Sequence, residues 1–127
     1  TGASLRANNL KIMHVVLEST PRFIACHDAL KDSWKSAKID CLLMLLKGAI
    51  AAATRVLLSM NLPRENVDAV LKILPALATP TVSTLADPHW VDLSTVVEEK
   101  TVRELIPQLY AAGARGIIEL PLNKIVE

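Results

Sequence analysis

Residues 55–77 read RVLLSMNLPRENVDAVLKILPAL, and the change of period in the middle of this stretch decides the fold. RVLLSMN (55–61) reads as a strand, and LPREN (62–66) opens a helix. Pro63 suits a first-turn position, where its absent N–H is no loss, and Glu65 favours the positive end of the helix dipole. Val67, Val70, Leu71 and Leu74 then fall at i, i+3, i+4 and i+7, which is one apolar stripe. Pro75 ends or bends that helix.

Downstream, TPTVSTLA (79–86) and WVDLSTVVE (90–98) are two β-branched runs separated by the turn-forming cluster Asp87-Pro88-His89. They are expected to pair as a hairpin. Thr101-x-x-Glu104 has the form of a capping box and precedes Val102, Leu105, Ile106 and Leu109 at helical spacing. Pro107 lies inside that pattern and should distort its first turns, and Gly113 is the expected stop. GIIEL (116–120) closes the chain's last strand, limited by Pro121. The order from residue 55 is β-α-β-β-α-β, the ferredoxin-like arrangement, with both helices on one face of a four-stranded antiparallel sheet.

Upstream, KIMHVVLES (11–19) is rich in β-branched residues and predicts a strand ending near Glu18, before Pro21. Helix-start chemistry occupies residues 28–34, and one long helical pattern runs from Asp32 to about Ala53. The second half of that helix is apolar nearly all round, so it requires cover on several sides from a partner subunit or from further chain. The fold class is therefore α+β: a ferredoxin-like domain at 55–127, preceded by residues 1–54 carrying a strand and a long helix.

With 127 residues, half of them hydrophobic, the chain can pack one core and an appendage. Net charge is +1, which supplies no global pull toward nucleic acid or membrane. Residues 1–58 carry eight Lys/Arg against four Asp/Glu, and residues 59–127 six against nine, so the two parts face different surroundings. Cys26 and Cys41 have no metal-ligand spacing and read as buried free thiols of a reducing, cytoplasmic protein. The apolar run from Cys41 to Ala53 is too short for a bilayer, and no targeting segment stands out. RNA binding on the sheet would need stacking rings, and this half of the chain has only Trp90 and Tyr110.

No catalytic set is complete within these residues. His14 lies in an apolar run, His89 in a turn, and Glu98-Glu99 reads as a solvated strand end. Thr1-Gly2-Ala3-Ser4 has the chemistry of a phosphate-cradling loop, with small side chains, hydroxyls and free backbone N–H groups. A small-molecule regulatory site is the other reading of the second half. Asn61 stands at a strand-to-helix junction, Thr79 and Thr81 flank Pro80 at a strand start, and Gly116 lets a ligand approach the backbone. Each also has a structural reading: a helix cap, β-formers and a turn residue.

TGASLRANNLK (1–11), VVLEST (15–20), NLPREN (61–66), TPTVSTLADPHWV (79–91) and AAGARGI (111–117), in this order and spacing, resemble the C-terminal portion of the long-form ATP phosphoribosyltransferase family. The resemblance covers essentially the whole chain. It implies transfer of a phosphoribosyl group from phosphoribosyl pyrophosphate to N1 of ATP, the first step of histidine biosynthesis, with Mg²⁺ held mainly by the substrates' phosphates. Residues 1–54 would be the return segment of an α/β catalytic domain whose remainder precedes residue 1. Thr1, Gly2, Ala3 and Ser4 would hold the 5′-phosphate, with Ser4 standing where the family pattern has Thr. Residues 55–127 would be the regulatory domain, binding L-histidine as inhibitor at Asn61, Leu77, Thr79, Thr81 and Gly116 in a homo-oligomer, dimer to hexamer. Some relatives carry Asp in place of Asn61, and an amide there brings no charge. The contrasting expectation is a stand-alone amino-acid sensor without catalysis.

Overall fold

The computed structural model describes residues 2–75 and 79–126, in two compact units, Thr1–Ser36 and Ala37–Glu127. In the first unit α1 spans Gly2–Ala7 and α2 spans His27–Lys31. Asn9 takes a left-handed conformation (φ 53°) after α1, where the Leu10 amide donates to the Leu5 carbonyl at 2.8 Å. An Asn tolerates that conformation better than most residues, which is why it can end a helix. Residues 10–26 form neither helix nor strand. This corrects the expected strand at 11–18: Met13 and Val16 are each more than nine-tenths exposed, and among the described residues no second strand pairs with this run to complete a ladder.

The long helix α3 runs Ser33–Ala52, close to the predicted range. Asp32 ends α2 in an extended conformation, and its Oδ1 accepts the Lys35 amide at 3.0 Å, capping α3. Only Gly48 and Ala52 of α3 are buried, while Leu42, Met44, Leu45 and Ile50 stay exposed. Cys26 and Cys41 are also exposed, correcting the expectation of buried thiols. Near its end α3 receives the C-terminal tail, whose Ile125 amide donates to the Gly48 carbonyl at 3.0 Å. A Cβ on residue 48 would stand 2.9 Å from the Ile125 oxygen, so the close approach requires glycine.

The remainder of the second unit is the predicted β-α-β-β-α-β order. Strand β1 spans Arg55–Pro63, a short 3₁₀ turn covers Arg64–Asn66, and α4 spans Val67–Ile73. Next come β2 (Thr81–Thr84), β3 (Trp90–Glu98), α5 (Glu99–Ala111) and β4 (Arg115–Pro121). The sheet is antiparallel, in the order β2-β3-β1-β4. Alternation decides its faces: Val56, Leu58, Met60 and Leu62 of β1 and Val91, Leu93, Thr95 and Val97 of β3 point inward. Val70 and Leu74 from the α4 segment and Val102, Leu105 and Leu109 of α5 close the core over them. Each fully buried Leu contributes about 1.5–3 kcal/mol relative to leaving it exposed.

Helix ends follow local chemistry in two places and tertiary context in a third. Leu74 is extended (φ −70°, ψ 136°), as the residue before Pro75 must be. Gly113 (φ 99°) ends α5, with the Ala114 amide donating to the Leu109 carbonyl at 3.0 Å and the Gly113 amide to Tyr110 at 3.1 Å. Leu109 and Ala114 are both buried, completing a Schellman stop. At its other end α5 begins at Glu99, two residues before the expected capping box. The helix also continues through Pro107, which has no amide to offer the carbonyl one turn back.

Candidate functional site

The two faces of the sheet differ in kind. One is the core. The other is left uncovered by the described residues of this unit and carries the residues whose numbers share the parity of Asn61 on β1 and Asp92 on β3. Residues directly opposite in an antiparallel pair share a face, so the register places the side chains in rows. Asn61 lies opposite Asp92, and Asp92 opposite Ser83. In the next row Ile118, Ser59, Ser94 and Thr81 follow one another across all four strands. Beyond these lie the apolar Leu120, Leu57 and Val96.

This geometry brings together three of the residues singled out from sequence. Asn61 and Thr81 are exposed on the open face in neighbouring rows, two strand spacings across and two residues along, roughly 12 Å apart. Neither side chain makes a hydrogen bond to the described residues. Gly116, at the start of β4, has φ 56°, and the β1–β4 register shifts between Ser59 and Asn61. A side chain there would be strained by its backbone, by roughly 1–2 kcal/mol. Its Cβ would lie 3.6 Å from Asn61 Nδ2, an ordinary contact, so the glycine marks the backbone's path beside Asn61.

Thr79 is exposed just ahead of β2, and no strand pairing draws it onto the face. Leu77 lies outside the described residues. In the other unit Gly2, Ala3 and Ser4 form the first turn of α1 rather than an open loop, and Thr1 is outside the described residues. The Ser4 carbonyl accepts the Asn8 amide at 3.3 Å and the Asn8 side-chain Nδ2 at 2.9 Å.

Sequence reasoning passed over Asp92. Its Oδ1 accepts the Ser59 hydroxyl at 2.8 Å, and the residue is half-buried between Asn61 and Ser83. The signal was the WVDLS alternation, which turns Asp92 outward once Val91 and Leu93 are assigned to the core. The turn at Asp87–His89 is held structurally. Arg64 donates its amide to the His89 carbonyl at 2.8 Å and its Nε to the Pro88 carbonyl at 3.1 Å, and Asp87 Oδ1 accepts the His89 amide at 2.9 Å. Among the described residues no three His, Cys, Asp or Glu side chains gather as metal ligands, and no helix is long and apolar enough to cross a membrane.

Comparison with known proteins bears on the same part of the chain. The family described as HisG, C-terminal domain, matches residues 52–124. The ATP phosphoribosyltransferase of Prosthecochloris aestuarii is 49% identical over 127 residues, all of this chain and 43% of the relative. That of Pelodictyon phaeoclathratiforme is 50% identical over the same shares. The Thermodesulfovibrio yellowstonii enzyme of the same name is 46% identical over 126 residues, 99% of this chain and 43% of the relative. The chain thus spans less than half the length of these curated relatives.

Proposed function

This chain belongs to the HisG C-terminal domain family, and from that premise we propose that it is the C-terminal part of an ATP phosphoribosyltransferase of histidine biosynthesis. The complete cytoplasmic enzyme transfers phosphoribosyl from phosphoribosyl pyrophosphate to N1 of ATP and releases pyrophosphate. Chemistry of this kind rests on positioning and on stabilising developing charge, and it needs no protein nucleophile. Thr1–Ser4 serve the 5′-phosphate of phosphoribosyl pyrophosphate. Mg²⁺ prefers oxygen ligands and arrives on the substrates' phosphates.

The second unit is the sensor for the pathway's product. L-Histidine binds at Asn61, Leu77, Thr79, Thr81 and Gly116 and lowers the enzyme's activity. The observation that carries this reading is that Asn61 and Thr81 share the open sheet face in neighbouring rows, with the Gly116 backbone beside Asn61, inside the region matched by the family. Exposed polar groups without protein partners are available to a ligand, and in a single chain they form a surface rather than a cavity. Assembly of further copies, from dimer to hexamer, would enclose it. The exposed apolar side chains of α3 support burial against additional protein.

Titration calorimetry on the complete, assembled enzyme tests the sensor. Histidine should give saturable heat at or below millimolar concentration. No heat in that range overturns the regulatory reading while leaving the transferase family intact.

A further inference from the structure

Asp92 is the one carboxylate among the residues named in the polar rows of the open face. It stands directly across from Asn61, in the middle of the polar rows, and is half-buried. A partly desolvated carboxylate is costly unless it is hydrogen-bonded or paired with a cation. Asp92 has one such bond, from the Ser59 hydroxyl at 2.8 Å, and it makes no ion pair with a described residue. The nearby arginines point elsewhere. Arg115, opposite Asn61 on β4, turns back over the Tyr110 ring at 4.2 Å and donates to the Tyr110 and Ala114 carbonyls. Arg64 is held by Pro88, and Arg55 lies at the far end of β1 beside Glu98, 3.7 Å away.

The neighbours of Asp92 are neutral: the Asn61 amide and the hydroxyls of Ser59, Ser83, Ser94 and Thr81. They can orient a ligand but cannot balance the carboxylate's charge. A cationic N–H donor can, and charge-assisted bonds of that type are roughly twice as strong as neutral ones. We infer that Asp92 is the anionic anchor of the effector site, taking a protonated nitrogen of the bound amino acid between β1 and β2. This rests on the reading that the face binds histidine, and it adds a rule for selection: the site takes ligands with a cationic nitrogen and rejects those with only anionic groups. Ser59 is its positioning residue, fixing one carboxylate oxygen so that the other faces the ligand.

The test is calorimetry on the complete enzyme and its Asp92→Asn variant, whose side chain has the same shape without charge. Loss of a charge-assisted bond should weaken histidine binding about ten- to a hundredfold. Imidazolepropionate, which lacks the ammonium, separates the two nitrogens. If Asp92 holds the ammonium, this analogue binds weakly and equally to both proteins. If it holds the imidazolium, the unaltered enzyme binds histidine more tightly at pH 6 than at pH 8, and Asp92→Asn removes that difference. Either pattern supports the anchor. Histidine binding to Asp92→Asn within twofold of the unaltered enzyme overturns it, and Asp92→Ser serves the same comparison if the Asn variant fails to assemble. No histidine binding to the unaltered enzyme overturns the reading of the whole face instead.

Discussion

Two β-branched runs in this chain meet opposite fates. KIMHVVLES (11–19) and RVLLSMNLP (55–63) have similar local preferences, yet the first is irregular and exposed while the second is a central strand with neighbours on both edges. The difference lies outside either run. Arg55–Pro63 is followed within the chain by β3 and β4, whose alternation matches its own and whose helices cover the inner face. Residues 10–26 find no complementary strand among the described residues. Strand preference measures fit to a pleated, half-buried surface and does not create that surface.

The sharpest way to break this comparison is to truncate one side chain in each run. Leu58 is fully buried, and Leu58→Ala should cost about 2–5 kcal/mol by loss of transfer energy plus a cavity. Val16 is 92% exposed, and Val16→Ala should stay within about 0.5 kcal/mol. Denaturant midpoints of the 127-residue chain and the two variants measure both. Equal losses would mean that 11–19 packs as tightly as β1, and the contrast would fall.

A smaller effect separates two left-handed turns. Gly113 aims β4 at β1, and a Cβ there would collide with the Asn66 side-chain amide, which donates to the Ala112 carbonyl at 3.1 Å. Gly113→Ala should cost about 1–3 kcal/mol from strain at its positive φ, with more from the collision. Asn9 (φ 53°) leads only into the irregular segment, so Asn9→Ala should cost at most about 1–2 kcal/mol from local strain alone. Thermal unfolding of the two variants compares them. A larger shift at Asn9 would show that its turn organises more than its own unit.

Much of the second unit was legible because each element announces itself locally. Period two marks β1 and β3, the 67–74 stripe marks α4, and Gly113 carries the backbone freedom its stop demands. The candidate site was legible only in pieces. Asn61, Thr81 and Gly116 could be flagged singly, but their shared face depends on the strand order and on registers such as Asn61 opposite Asp92. Asp92 was missed because its meaning comes from what lies across the strand from it. The strand expected at 11–18 failed for the complementary reason: no strand among the described residues answers its local signal.

The start of α5 shows the same competition on the smallest scale. Thr101 and Glu104 have the spacing of a capping box, but β3 runs to Glu98 and the helix follows at once. The first free amide of that helix, on Glu99, donates to the Thr54 carbonyl at 2.9 Å, so a backbone group from the entrance to β1 performs the cap. Thr101 is left inside the first turn, where its hydroxyl donates back to the Glu98 carbonyl at 2.7 Å. Thr101→Val keeps the side chain's shape and removes that single bond. It should therefore cost about 0.5–1.5 kcal/mol, seen as a small drop in denaturant midpoint with unchanged slope. A loss above about 2 kcal/mol would return the helix start to Thr101 itself, because only a side-chain cap that held the whole turn would cost so much. A loss near the expected value leaves the Thr54 carbonyl as the stronger tether, and sheet pairing again outweighs the local motif.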